Sequence, residues 1–224
     1  TTKFGNPSSR HPLGRTSADA VHNARGQVAR CVGAERGQVF FTPSATYAAN
    51  LAIHGLFAAH AHRFVVPMTA HKALLKPADR LREQGAEVVH LPVDAKGLPD
   101  LNALSRAAPG PTTLVASTWV NNETGVIAPL KELRRICTDA GALLLVDATQ
   151  AVGKVDVSRA TELCDALFFS SHKIYGPKGA AALICPSRVR KRLLPPIVGG
   201  GQERGLAPGT ENVPPIVGFG AACA

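Results

Sequence analysis

The sequence lacks paired cysteines and long apolar runs. Five cysteines are scattered over 224 residues, and none of them forms a Cys-x-x-Cys pair. The odd number of cysteines, together with a start (TTKFGNPSSRHPLG) that has no apolar segment, predicts a reduced, cytoplasmic protein rather than a secreted one. No apolar run approaches the roughly 20 residues that a membrane helix needs, so no contact with a membrane is expected.

The sequence also lacks the residue patterns that bind metals or nucleic acids. Of the eight histidines, only His60 and His62 lie close together, and their spacing does not suit a zinc site. The net charge is +9, yet the densest basic cluster, residues 188–192, contains no aromatic residue. Because single-stranded nucleic acids bind to aromatic side chains set among basic ones, this cluster is interpreted as a solvated helix face. Neither a metal nor a nucleic acid is expected as a partner.

The sequence does contain a regular alternation of short apolar runs and helical patterns. The runs lie at residues 39–42, 64–67, 87–92, 113–117, 143–148, 165–170 and 181–185. Most are apolar throughout, which is typical of strands that are covered on both faces. Helices are predicted at residues 17–32 (with Ser17 as the cap), 46–60, 71–84, 101–107 and from Pro129 to Gly141. This order predicts an α/β fold of three layers, with a mostly parallel, seven-stranded sheet between helices on both faces.

Polar residues follow the ends of several predicted strands. Since ligands of open α/β sheets bind beyond the carboxyl ends of the strands, we expect these residues to share one site. They are His71, Asn122, Asp147, Gln150, His172, Lys173 and the small-residue start of a helix at Ala45 and Thr46. Each has an ordinary structural explanation by itself, such as a helix cap for Asp147 or a solvated loop position for Lys173. As a set they indicate a binding site.

This set meets the chemical needs of pyridoxal 5′-phosphate (PLP). The aldehyde of PLP needs a lysine amine, which Lys173 can supply, and its protonated pyridine nitrogen needs a carboxylate such as Asp147. Its phosphate needs backbone N–H groups at a helix N-terminus, as at residues 45–46, and a hydroxyl such as that of Ser170. Burial of Lys173 beside His172 and the cofactor ring is expected to lower the pKa of the amine and leave it free to react.

Five segments carry a resemblance to a known family. They are FGNPSSRH, VNNETGVIAPL, LLLVDATQAVGKVDV, SSHKIYGPKGAAAL and GGGQERGLAPGTENVPPIVGFG, which together extend from Phe4 to about Gly220. In this order and spacing they resemble the cysteine desulfurases, which belong to the class V aminotransferase group of fold type I PLP enzymes. The resemblance implies that residues 1–224 are the large, PLP-binding domain of such an enzyme.

The resemblance also implies a role for each matching residue. Lys173 would be the Schiff-base lysine, and His71 would stack on the cofactor ring and transfer protons. The other cofactor contacts would be Asp147 at the pyridine nitrogen, Asn122 and Gln150 around the ring, Ala45, Thr46, Ser170 and His172 at the phosphate and ring edge, and Thr210 at the phosphate of a neighbouring subunit. A homodimer with shared active sites is therefore expected, in which residues 194–215 form a loop at the active site and the dimer contact.

An activity follows from the same resemblance. A complete enzyme would convert L-cysteine to L-alanine and hold the sulfur as a persulfide on an enzyme cysteine. A sulfur-acceptor protein would then receive it for iron–sulfur cluster or thiocofactor assembly. Two alternatives stay open: a selenocysteine lyase or other class V lyase, and a catalytically inactive homologue that serves as a dimerisation or binding module.

The sequence departs from the family pattern at three residues and in length. Tyr47 stands where an acidic residue usually follows the phosphate-binding threonine, Ala70 replaces a glutamate before the stacking histidine, and Ala207 replaces the second arginine of ERGxRxGT. Only Thr1-Thr2 would remain of the family's first strand. The family's small C-terminal domain, with its cysteine nucleophile and a carboxylate-binding arginine, has no counterpart, and Cys223 does not match that nucleophile. These 224 residues alone are therefore expected to be inactive.

Overall fold

The computed structural model of the protein describes residues 5–59 and 61–224. The sequence predictions that concern Thr1-Thr2 and His60 lie outside the described residues. Within those two ranges, none of the helices combines the length and the apolar character that a membrane crossing requires.

Seven strands form one sheet, as the sequence predicts. They are β1 (Val39–Thr42), β2 (Arg63–Pro67), β3 (Glu87–Leu91), β4 (Thr113–Thr118), β5 (Leu143–Asp147), β6 (Ala166–Ser170) and β7 (Ala181–Ile184). In the sheet they lie in the order β1-β7-β6-β5-β4-β2-β3. Every strand boundary falls within one residue of its predicted position, because the apolar runs end where polar or turn residues begin.

The sheet is parallel except at β7, which is antiparallel to both of its neighbours, β6 and β1. Only residues 171–180 connect β6 to β7, and this is too short for the helical crossover that a parallel strand would need. The chain therefore turns back at the edge of the sheet where β6 ends. That turn carries His172 and Lys173.

Helices cover both faces of the sheet and confirm the predicted three layers. They are α1 (Pro12–Cys31), α2 (Ala45–Ala59), α3 (Lys72–Glu83), α4 (Leu101–Ala107), α5 (Leu130–Ala140), the short α6 (Ser187–Arg190) and α7 (Val213–Cys223). One buried apolar cluster joins the sheet to α1, α4, α5 and α7, and a second joins its other face to α2 and α3. The fully apolar strands are thus explained, since each contributes side chains to both clusters.

The first helix begins earlier than predicted. Ser17 was expected to cap it, but Ser17 lies inside α1 and is fully buried. The N-cap is His11, whose Nδ1 accepts a hydrogen bond from the N–H of Gly14 at 3.3 Å, and Pro12 occupies the first helical position, which proline favours. The prediction failed because it looked for a hydroxyl cap, whereas a histidine ring nitrogen supplies the acceptor.

The five cysteine thiols separate into two groups by burial. Cys137, Cys164 and Cys185 are buried, and burial raises the pKa of each of these thiols to about 12. Cys31 and Cys223 are half-buried at the last residues of α1 and α7. The neighbouring Cys223 thiol lowers the pKa of Cys31.

This difference predicts selective alkylation. Because the thiolate is the reactive form, iodoacetamide at mildly alkaline pH is expected to label Cys31 well before any other cysteine. Cys137, Cys164 and Cys185 should react only after unfolding in denaturant, and peptide mass spectrometry of samples quenched at increasing times measures the order. Early labelling of Cys164 in the folded protein would contradict the packing described above.

Candidate active site

A cavity of about 280 Å³ opens beyond the carboxyl ends of β1, β2, β4, β5 and β6. Its lining contains all the residues that the sequence predicts for the site except Thr210: Ala45, Thr46, His71, Asn122, Asp147, Gln150, Ser170, His172 and Lys173. The register of the sheet explains this convergence. Asp147, at the end of β5, pairs with Thr118 of β4 and with Phe168 of β6, so the three strands end at the same edge.

Asp147 is the most buried ionisable group of the cavity, with 5% of the residue exposed. Its Oδ1 accepts a hydrogen bond from the N–H of Thr149 at 2.9 Å, and among the described residues no lysine or arginine forms an ion pair with it. Burial raises the pKa of Asp147, against the opposing effects of Thr149 and the nearby His71. A buried carboxylate without a cationic partner is costly, so this position suits a ligand that carries a positively charged N–H.

Lys173 lies in a short 3-10 turn, Ser171–Ile174, that directly follows β6. The turn ends at Tyr175, whose φ of 64° lets the chain reverse toward β7. Lys173 and His172 are both exposed. The reason is that the turn lies at the mouth of the cavity, beyond the end of the buried strand.

His172 and Ser170 form a polar pair at the edge of the cavity. His172 Nδ1 lies 2.8 Å from the hydroxyl oxygen of Ser170. Partial burial, and then the charges of Lys173 and Lys178, lower the pKa of His172. The imidazole is therefore neutral at pH 7, since its ordinary pKa is already about 6.5.

His71 is the N-cap of α3. Its Nδ1 accepts a hydrogen bond from the N–H of Ala73 at 3.0 Å, so in the neutral ring the hydrogen is on Nε2. The loop after β4 is fastened to the loop before α3, because Asn121 Nδ2 donates to the carbonyl oxygen of Thr69 at 2.8 Å. This bond holds the neighbouring Asn122 and His71 on the same side of the cavity.

The start of α2 forms another wall. Ser44 Oγ accepts a hydrogen bond from the N–H of Tyr47 at 3.1 Å, and the first N–H groups of the helix, at Ala45 and Thr46, have no carbonyl partner within the helix. Such N–H groups, together with the positive end of the helix dipole, bind anions such as phosphate.

The residues of the cavity fit PLP. An amine, an uncompensated buried carboxylate and a helix N-terminus surround one space, and these are the groups that its aldehyde, pyridine nitrogen and phosphate need. A further polar atom, Thr118 Oγ1, is buried with no hydrogen-bond partner among residues 5–59 and 61–224 and lines the same space. The described part of the chain contains no cluster of three metal-ligating side chains.

Sequence reasoning missed part of the lining. The lining residues without a predicted role are Ser44, Ala73, Thr118, Val120 and Thr149. The available signal was position, since Ser44 and Thr149 adjoin predicted site residues and Thr118 is the residue after a predicted strand. Local sequence does not distinguish their small hydroxyl and apolar side chains from ordinary loop residues.

Thr210 lies apart from this cavity in the single chain. It lines a second space of about 180 Å³, between the loop that precedes α7 and the start of α2. Two of the three departures from the family pattern, Tyr47 and Ala207, line this second space together. The third, Ala70, is buried next to His71. The unusual residues therefore leave the centre of the first cavity unchanged.

Known proteins with similar sequences and structures are cysteine desulfurases and related proteins. The chain is 42% identical to the cysteine desulfurase IscS of Rickettsia bellii over 226 residues, which is 99% of this chain and 55% of that protein. It is 41% identical to a probable mitochondrial cysteine desulfurase of Dictyostelium discoideum, over 100% of this chain and 50% of that protein. The chain thus spans about half the length of these relatives.

Solved structures agree with the sequence comparison. A NifS-like protein superposes with a TM-score of 0.93 at 35% identity, over 99% of this chain and 62% of that one. SspA in complex with cysteine gives the same TM-score at 33% identity, over 99% of this chain and 65% of that one.

The family match covers the whole sequence. Residues 1–224 match the aminotransferase class-V family, and the relatives above share the fold type I architecture predicted from the sequence. This chain belongs to the PLP-dependent aminotransferase class-V family.

Proposed function

We propose that residues 1–224 are the PLP-binding domain of a cysteine desulfurase. The observation that carries this proposal is the meeting of the Lys173 amine, the Asp147 carboxylate and the N-terminus of α2 in one cavity of 280 Å³. The relatives that bear the name cysteine desulfurase support the same activity.

Different residues of the cavity would bind different groups of the cofactor. When bound, PLP supplies an aldehyde carbon for an amine and a ring that withdraws electrons. Lys173 Nζ would bind the aldehyde carbon, and Asp147 would hold the proton at the ring nitrogen. The N–H groups of Ala45 and Thr46, with the hydroxyl of Ser170, would bind the phosphate.

The other side chains of the cavity would contact the cofactor ring and the substrate. His71 would stack on the ring. Its Nδ1 is taken by the N–H of Ala73, so its Nε2 would be the atom that exchanges a proton with the substrate. Asn122 and Gln150 would contact the ring substituents. His172, whose pKa is lowered, would contact the ring edge without adding a positive charge beside Lys173.

The proposed substrate is L-cysteine. A structural relative is described in complex with cysteine, and the proposed products are L-alanine and a sulfur atom that is held as a persulfide on an enzyme cysteine. In this proposal the protein is a cytoplasmic homodimer in which Thr210 reaches the phosphate in the neighbouring subunit. A sulfur-acceptor protein takes the persulfide sulfur for iron–sulfur cluster or thiocofactor assembly.

The test is product analysis with the whole protein that contains this domain. PLP-loaded protein is incubated with L-cysteine and a thiol reductant, and alanine and sulfide are quantified. We expect equal amounts of the two products over many turnovers, and neither product with Lys173→Ala.

Two other outcomes would replace the proposal. Turnover of L-selenocysteine but not L-cysteine would assign a selenocysteine lyase. A folded dimer that neither binds PLP nor forms alanine would assign a binding module.

A further inference from the structure

The long loop between α6 and α7 is fastened to the free edge of the sheet at two consecutive residues, Glu203 and Arg204. The carboxylate of Glu203 is 3% exposed and accepts two hydrogen bonds from the Arg25 guanidinium, both at 2.6 Å. It also accepts the backbone N–H of Phe41 at 2.8 Å. One side chain thus joins the loop to α1 and to β1.

Arg204 completes the attachment. Its guanidinium donates to the carbonyl oxygens of Gly37 at 2.6 Å and Val39 at 2.9 Å, and its Cζ lies 3.9 Å from the centre of the Phe40 ring. Arg25 donates to the same Val39 oxygen at 2.8 Å. Backbone groups at the sheet edge, which another strand could otherwise bind, are therefore occupied by side chains.

The backbone at this point is strained. Glu203 has a φ of 49° and Arg204 a φ of 58°, a left-handed conformation that residues other than glycine rarely adopt. Such strain persists only where the surrounding contacts determine it, and here the side chains of both residues make those contacts. The geometry indicates a fixed point rather than a freely moving loop.

The fixed point lies close to Thr210 along the chain and in space. Glu203, Ala207 and Thr210 line the same 180 Å³ cavity, and Leu206 and Ala207 between them are buried. Gln202 Oε1 accepts a hydrogen bond from the N–H of Gly209 at 3.2 Å, so the two ends of the segment 202–209 are joined. Thr210 is exposed at the end of this closed segment.

We propose that Glu203 is a positioning residue for the active site: by binding Arg25 and Phe41 it holds the segment in which Thr210 is presented to the cofactor phosphate. This inference rests on the proposed function, in which Thr210 contacts that phosphate. The Glu203 carboxylate is almost fully buried and bonded to Arg25 and Phe41, so its effect on cofactor binding would pass through Thr210.

A double-mutant cycle tests this coupling. PLP affinity is measured by fluorescence titration for wild type, Thr210→Val, Glu203→Gln and the double variant. We expect Thr210→Val to weaken binding roughly tenfold, as the loss of a hydrogen bond to a charged group does. Glu203→Gln should weaken binding by several-fold, and the double variant should bind as Thr210→Val does, because the two changes remove the same contact.

Two controls separate positioning from general destabilisation. Asp165→Asn breaks a comparable buried ion pair at the amino end of β6, where Asp165 binds Arg134 and Arg188 at 2.6 Å each, and it should leave PLP affinity unchanged. Hydrogen exchange should show faster exchange at residues 205–212 in Glu203→Gln only. If Glu203→Gln does not fold, Arg25→Lys keeps the charge but removes the paired hydrogen bonds and should give the same non-additive pattern.

The double-mutant cycle can contradict the positioning role in two ways. Additive losses in the cycle, or unchanged affinity in Glu203→Gln beside a weakened Thr210→Val, would overturn the positioning role and leave the proposed function intact. Unchanged affinity in Thr210→Val would remove the phosphate contact from the proposed function and the role of Glu203 with it.

Discussion

Asp147→Asn is expected to stabilise the cofactor-free protein while it weakens cofactor binding. In the free protein no lysine or arginine of the described residues pairs with the buried carboxylate. Burial disfavours its ionised form and so raises its pKa. Asparagine keeps an acceptor for the N–H of Thr149 but carries no charge. We expect a gain of about 1 kcal/mol in the free energy of unfolding at neutral pH.

The pH dependence follows from the direction of this shift. A carboxyl group whose pKa is higher in the folded than in the unfolded state binds protons more tightly when folded, so the wild type loses stability as pH rises above the unfolded value of about 3.9. The advantage of Asp147→Asn should therefore vanish below about pH 4, where both side chains are neutral, and grow toward neutral pH. Thermal unfolding of the cofactor-free proteins across this range measures it.

Cofactor affinity should change in the opposite direction. An opposite charge pair about 4 Å apart is worth roughly 4 kcal/mol at an effective dielectric of 20, before desolvation is subtracted. We expect Asp147→Asn to weaken PLP binding by at least roughly tenfold, or about 1.4 kcal/mol. The protein's single tryptophan, Trp119, follows Thr118 of the cavity, so its fluorescence serves for the titration. If Asp147→Asn lowered both the free energy of unfolding and the affinity for PLP, Asp147 would be a structural residue only.

Lys173→Ala is expected to abolish covalent attachment of PLP. Lys173 lies in the lining of the cavity, and its loss removes the amine that binds the aldehyde carbon, so borohydride reduction should leave no pyridoxyl group on the protein. Lys178 is the matched control, because it lies on the same β6–β7 connection and is also exposed, but it does not line the cavity.

Mass spectrometry after reduction distinguishes the two lysines. Wild type and Lys178→Ala should each carry one pyridoxyl group, and Lys173→Ala should carry none while it keeps the wild-type fold by circular dichroism. Retention of the group in Lys173→Ala, or its loss in Lys178→Ala, would contradict the assignment.

Local sequence patterns accounted for the sheet and most of its helices. Each strand is an apolar run with a polar or turn residue at its end, so its position depends on neighbours in sequence. The direction of β7 could have been predicted too, since ten residues cannot form a crossover. The cap of α1 was missed because a histidine, rather than Ser17, supplies the acceptor.

Local sequence contains no comparable signal for contacts between distant segments. Glu203 binds Arg25 across 178 positions of sequence, and nothing local to either residue indicates the other. The exposure of Lys173 depends on how far the turn after β6 extends past the sheet, which composition does not determine. The second cavity, where Tyr47 and Ala207 meet, likewise depends on contacts between segments that are far apart in sequence.

A crystal structure of the protein with PLP would test the central claim most directly. The claim predicts the cofactor in the 280 Å³ cavity, joined to Lys173, with its ring nitrogen toward Asp147 and its phosphate at the start of α2. Cofactor bound elsewhere, such as in the larger 640 Å³ surface groove between α2 and the Leu194–Pro196 segment, with this cavity empty, would contradict it.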